Sequence, residues 1–291
     1  MEPGCRPEPE RQERLVARYG AGFLFARTGW GAQREPRDET FLSLRFGPAP
    51  RFHGHSDGGS ITLYSRGAPL VIDPGLYTYN PSSTWRTWFK GRRAHNVVAV
   101  DGLRWRSSPT ALLTQTTSPS LVFARVRSAA APGVAHVRSV VFSRALGYVL
   151  VDDRLSSTSR HVYRQMWHLV QDAAPTIAGR TIRTHRERGN LLIRQLAAIR
   201  SVRVVKGSVS PIQGWVSNRY GSKAPAPVVE TTVAGTTGRF LTLLVSGAGA
   251  PTATIGSLHL TATGYSVVVT VGGHSERVVV RGSVATITPL G

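Results

Sequence analysis

Apolar and polar residues alternate with period two through most of this chain. In 41–46, Leu42, Leu44 and Phe46 point one way while Ser43 and Arg45 point the other. In 60–66, Ile61 and Leu63 oppose Thr62 and Tyr64. Successive side chains of an extended strand face opposite sides, so this spacing predicts strands with one buried face. A short apolar run at 69–72 ends in Asp73-Pro74-Gly75, a turn sequence in which proline presets φ and glycine supplies positive φ. Further strands are predicted at 139–142, 148–151, 162–169, 239–245, 265–271, 277–281 and 284–288, separated by turn residues. Only 10–19 has a spacing compatible with a short helix. Strands in series without intervening helices predict an all-β protein: a large antiparallel β-sandwich over 15–225 and a smaller β region over 226–291, continuous with the sandwich or separate from it. Residues 1–14, with Pro3, Pro7 and Pro9, read as a flexible tail.

Two stretches interrupt the alternation. Residues 78–93 place Tyr79, Trp85, Trp88 and Phe89 among Arg86, Lys90, Arg92 and Arg93, and 211–227 forms a second long connection. Long connections in a compact domain are commonly functional.

Composition narrows the choice of partners. The chain has 291 residues and a formal net charge of +20, carried almost wholly by arginine, with Lys90, Lys206 and Lys223 the only lysines. Such a field attracts polyanions, whether nucleic acid, anionic membrane or acidic polysaccharide. No helix-turn-helix, RNP-like or zinc-finger spacing accompanies the charge, so a nucleic-acid reading rests on charge alone. No apolar run is long enough for a membrane span. Cys5 is the sole cysteine, which excludes an internal disulfide and any cysteine-based zinc cluster. No apolar segment follows Met1, so a signal peptide is not expected at this start.

The chemistry concentrates in 51–102. His53-Gly54-His55 puts two imidazoles on one side of an extended chain, although such a pair taken alone reads first as two surface histidines before a turn. Asp73 ends an apolar strand and, taken alone, reads as a cap on its turn. His95, beside Arg92 and Arg93, resists protonation, and neutral imidazole is the form that binds metal. Two histidines and a carboxylate with an open fourth position are a known zinc arrangement. Spacing alone leaves a metal site and a purely structural role equally open.

The run FHGHSDGGSITLYSRGAPLVIDPGLYTY, continued after a variable aromatic loop by RRAHNVVAVDG, resembles the signature of the heparinase II/III-like polysaccharide lyases. Weaker similarity extends over about 20–291. Val97 departs from the threonine that relatives often carry after the His-Asn pair. The resemblance implies a supersandwich-like β-domain that follows an N-terminal helical (α/α) toroid, with substrate in the cleft between them. It implies a structural zinc ion on His55, Asp73 and His95, and an active-site histidine at His53. It further implies β-elimination at a uronic acid of a glycosaminoglycan, alginate or similar acidic polysaccharide, and a periplasmic, secreted or cell-envelope location. Tyr77, Tyr79, Arg92, Arg93 and Asn96 are the expected substrate-binding residues, with Trp85 and Trp88 as further aromatics for stacking or packing. The family's tyrosine base/acid belongs to the toroid, so this chain alone is expected to be an incomplete enzyme. A non-catalytic carbohydrate-binding sandwich is the alternative, and a nucleic-acid-binding protein a more distant one.

Overall fold

A computed structural model describes residues 15–32, 34–49 and 53–291. The tail assigned to 1–14, with Cys5, lies outside the described residues. An N-terminal antiparallel sheet runs in chain order: β1 (Val16–Tyr19), β2 (Phe23–Arg27), β3 (Phe41–Arg45), β4 (Ile61–Ser65) and β5 (Ala68–Val71). A short helix α1 (Thr84–Lys90) and a 3-10 turn at Arg92–Ala94 follow.

Next come β6 (Val98–Val100), β7 (Thr110–Thr117), β8 (Leu121–Ser128), β9 (Val134–Ser143), β10 (Val149–His168), β11 (Thr176–Ala178), β12 (Thr181–Arg183), β13 (Asn190–Gln195) and β14 (Ser201–Val205). Two small hairpins follow, β15 (Ser208–Val209) with β16 (Ile212–Gln213), and β17 (Trp215–Arg219) with β18 (Ser222–Pro225). The long strand β19 (Val228–Gly247) then enters the central sheet, whose main order is β11-β12-β13-β19-β10-β9-β8-β7, with β14 on β19 and β6 on β10. Four strands, β20 (Thr254–Leu260), β21 (Gly264–Val271), β22 (His274–Arg281) and β23 (Val284–Leu290), make a separate C-terminal sheet.

The three sheets stack in layers, with the central one in the middle. Its strands carry unbroken apolar runs because both faces are buried. Val140 and Phe142 of β9, Val149 and Val151 of β10, and Leu191 and Ile193 of β13 pack with Leu42, Leu44, Ile61 and Leu63 of the N-terminal sheet. Their neighbours Val141, Leu150 and Leu192 point the other way, into a core with Tyr265, Val267, Val269 and Val278 of the C-terminal sheet. The predicted alternation thus holds in the outer sheets, while period two in the middle sheet separates two cores rather than core from water.

Three local expectations need correction. The described part of 10–19 is not helical: Val16–Tyr19 pairs with Phe23–Ala26, and Tyr19 meets the Phe25 ring edge-on at 5.8 Å. Tertiary pairing overrides the propensity of so short a segment. Residues 78–93 are not wholly irregular, since α1 occupies seven of them, fewer than a periodicity window resolves. The boundary at 225 shifts: β19 pairs with β10 from Val149 to His168, so the chain after 225 first continues the sandwich, one of the two readings left open, and the smaller sheet begins only at Thr254.

Candidate metal centre

Three loops meet at one end of the layered core. The first, 53–60, enters β4 and is tied by Ser56 N–H to the Lys90 carbonyl at the end of α1 (2.9 Å). The second leaves β5 at Asp73. The third is the 3-10 turn that delivers His95 into β6. They bring one ligand atom each from His55, Asp73 and His95 to within 4.8 Å of one another. The imidazoles of His55 and His95 lie 5.2 Å apart.

Asp73 performs both roles that its position suggests. Its Oδ1 accepts the Gly75 N–H (3.0 Å), closing the turn, and its Oδ2 accepts from His95 Nδ1 (2.7 Å). Desolvation works to raise the Asp73 carboxyl, but the His95 charge and hydrogen bond, the Gly75 N–H and His55 outweigh it and bring it to about 2. An ionised carboxylate only accepts, so the shared proton sits on His95 Nδ1. His95 Nε2 is then left fully buried with no partner among the described residues. Burial, followed by the neighbouring His95, takes His55 down to about 4 despite the pull of Asp73, with Lys90 and Arg86 adding to the effect. An imidazole binds metal through a bare nitrogen lone pair, so two imidazoles beside a carboxylate are a donor set that suits zinc, and the unpartnered buried Nε2 fits an ion that completes it.

His53 points away from this cluster. It is exposed, and its ring stands edge-on to Tyr79 at 5.2 Å. Tyr79 is half exposed and stacks on Tyr220 of the β17–β18 hairpin at 5.7 Å. Tyr77 and Trp85 are partly buried and pack inward, Tyr77 on Phe89 and Trp85 on Trp215, with the Lys223 ammonium over both rings. Trp88 is buried.

The expected substrate ligands separate into two groups. Arg92 is 2% exposed; its Nε donates to the Val98 carbonyl (2.9 Å), its Nη1 to the Gly58 carbonyl (3.2 Å), and its plane covers Trp105. Asn96 is fully buried. Its Nδ2 donates to the carbonyls of Ile61 and Ile72 (both 2.8 Å), and its Oδ1 accepts the His168 N–H (2.7 Å). These two side chains fasten the loops and present no free face to a ligand. Arg93 stays one-third exposed and reaches Glu230 (3.4 Å), which also holds Arg164 and Arg203.

Beneath the loops lies a polar set that sequence reasoning passed over. Arg138 grips Asp153 through both Nε and Nη2 (2.8 Å each) and sends Nη1 to the carbonyls of Gly59 and Asn96 (2.7 and 2.6 Å). The signal was charged residues beside apolar runs, Arg138 in β9 and Asp152 and Asp153 in β10. His168 is buried against Asn96.

The heparinase II/III-like C-terminal family model matches residues 18–258, most of the chain. This chain belongs to the heparinase II/III-like C-terminal family. The match runs from the N-terminal sheet through the central one into the first strand of the third. Within the family, a heparin-sulfate lyase of Pedobacter heparinus is 27% identical over 218 residues, covering 72% of this chain and 31% of that protein. A heparin-sulfate lyase of Bacteroides stercoris is 25% identical over 150 residues, covering 47% of this chain and 20% of that protein. The crystal structure of a heparan sulfate lyase from Pedobacter heparinus superposes with a TM-score of 0.79 at 23% identity, over 93% of this chain and 43% of that one. A heparinase III structure gives 0.77 at 17% identity, over 99% of this chain and 44% of that one. These structural likenesses establish the all-β layered fold of this heparinase II/III-like domain. The chain spans about a third of the first curated relative and under half of the solved ones.

Proposed function

We propose that this heparinase II/III-like domain forms one wall of the cleft of a polysaccharide lyase acting on a uronic-acid-containing polysaccharide. The observation that carries the reading is the division of one short segment into an inward histidine, His55, that joins Asp73 and His95, and an outward histidine, His53, beside exposed aromatics. In β-elimination a base takes the proton from C5 of the uronate. The electron pair forms the C4–C5 double bond, the bond from C4 to the glycosidic oxygen breaks, and that oxygen is protonated as it leaves. The uronate carboxylate already repels charge at C5, so neutralising it in the transition state is the main electrostatic task. His53 would hydrogen-bond that carboxylate or share the proton transfer. Arg86 and Lys90, whose charges already act on His55, add to the positive field of the wall. Zinc held by His55, Asp73 and His95 would pin the three loops together and add positive charge.

The proposed base/acid tyrosine belongs to a helical toroid facing this wall. The polypeptide 1–291 alone is therefore expected to produce few unsaturated uronate ends from heparan sulfate, as read by ultraviolet absorbance. Joined to such a toroid it should produce them, and His53→Ala should then reduce the rate about 10²–10⁴-fold without expelling metal. Full activity of the joined His53→Ala variant would refute the role of His53. Robust elimination by 1–291 alone would move the base onto this wall, with Tyr79 the nearest phenol to His53 in ring contact.

A further inference from the structure

The hairpin β17–β18 has no place in the metal centre, yet it is fastened to the loop that follows Asp73. Ser217 N–H donates to the Pro74 carbonyl and Gly221 N–H to the Tyr77 carbonyl (both 2.8 Å), while the Ser217 hydroxyl donates to the Leu76 carbonyl (3.2 Å). Gly75 and Ser217 form an isolated bridge so close that a side chain on Gly75 would collide with the Ser217 carbonyl. On the inner side, Trp215 meets Trp85 and the Lys223 ammonium lies 4.3 Å from the Tyr77 ring centre. The base of the hairpin is therefore rigid. Its two-residue turn, Tyr220-Gly221, is thereby held beside Tyr79.

Tyr220 is 63% exposed and Tyr79 51% exposed, and their rings are offset and inclined by only 26°. Large aromatics kept at the surface by rigid backbone bonds contribute nothing to a core. Tyr220, the more exposed of the two, has Tyr79 as its ring partner, and His53 stands edge-on to Tyr79. The array thus runs outward from the candidate reacting histidine in two ring-to-ring steps. Arg219 stands next to Tyr220 in the turn. Flat apolar faces flanked by cations suit a ligand that is a chain of rings with apolar C–H faces and anionic substituents.

We infer that Tyr220, together with Tyr79, forms a subsite that stacks a pyranose ring of an anionic polysaccharide next to the sugar held at His53. The inference rests on the proposed polysaccharide reading. It makes the hairpin a positioning element for the polymer rather than part of the reaction.

The test is affinity electrophoresis of 1–291 in gels containing heparan sulfate, chondroitin sulfate or alginate, with dextran as the neutral control. Wild type should be retarded by at least one acidic polymer and not by dextran. In that gel Tyr220→Ala should bind about three- to tenfold more weakly, and Tyr220→Phe should stay within about twofold of wild type. The salt dependence of binding should be the same for all three, since no ion contact is removed. Equal thermal melting of the variants would show that the fold is intact, as the exposure of Tyr220 predicts. Undiminished binding by Tyr220→Ala, with wild type retarded, would overturn the subsite and leave the proposed function standing. Absence of retardation of wild type by every acidic polymer would overturn both.

Discussion

Asn96 is the most informative residue to change, because one small side chain ties together the three elements that present the proposed metal ligands. Asn96→Ala removes two donors and one acceptor. The Ile61 and Ile72 carbonyls and the His168 N–H lose their partner at distances of 2.7–2.8 Å. Each buried polar group left unpaired costs about 1–3 kcal/mol, and water can reach the partly exposed Ile72 more readily than the other two. A total of roughly 3–5 kcal/mol is therefore expected. Because Ile72 precedes Asp73 and Asn96 follows His95, zinc affinity should fall in parallel. Urea unfolding followed by fluorescence, with chelator and then with zinc, measures both effects. Asn96→Asp serves as the isosteric control: it keeps the acceptor for His168 but turns a carboxylate oxygen toward two carbonyls, so it should be no better than alanine. A loss below about 0.5 kcal/mol for Asn96→Ala, with unchanged zinc binding, would refute the fastening role.

Other outcomes follow from the same structure. Protein purified without chelator should carry close to one zinc per chain by metal analysis, and His55→Ala should lose it while His53→Ala retains it; a wild type that takes up no zinc when supplied would contradict the site. Burial, then the neighbouring His95, depresses His168 to about 3. The unfolded chain therefore binds a proton that the folded one refuses, and stability should fall as pH drops below about 6.5, by up to about 1.4 kcal/mol per pH unit for this group. Urea titrations between pH 7 and 4 in chelator should show that slope reduced in His168→Gln, and an identical slope would contradict it. Gly75→Ala drives a β-carbon into the Ser217 carbonyl at a φ of +77°, so it should cost about 1–3 kcal/mol and expose the chain after Arg219 to trypsin.

The outer strands were legible because each has one wet face. Leu42, Leu44, Ile61 and Leu63 announce their own direction against Ser43, Arg45, Thr62 and Tyr64. The central sheet showed only as apolar runs, since a strand buried on both faces has no polar alternate to reveal its partners. His55, Asp73 and His95 stood out as a motif, and the three segments that carry them do converge. Asn96 and Arg92 were misread for a physical reason: a polar residue next to a site histidine has the same sequence signature whether it faces the ligand or fastens the loop. Which it does depends on carbonyls at 58, 61, 72 and 98 that carry no sequence signal. The hairpin contact was illegible likewise, because 211–227 shows turn residues and aromatics but not the backbone of 74–77 on which it rests.

The strand order of the middle sheet also bears on how the protein is made. β10 and β13 meet only through β19, so a nascent chain that has reached residue 225 holds two half-sheets, each with an open edge and apolar residues on both sides. Such edges pair readily with other chains. Until Gly247 has left the ribosome, β19 cannot fill the gap, and contacts between 149–168 and 228–247 are long-range and slow to form. Shielding by a chaperone should therefore matter most in the interval between those two points of synthesis. Expression fragments cut at the loop near 225 should aggregate, whereas fragments ending after 247 keep the central sheet continuous.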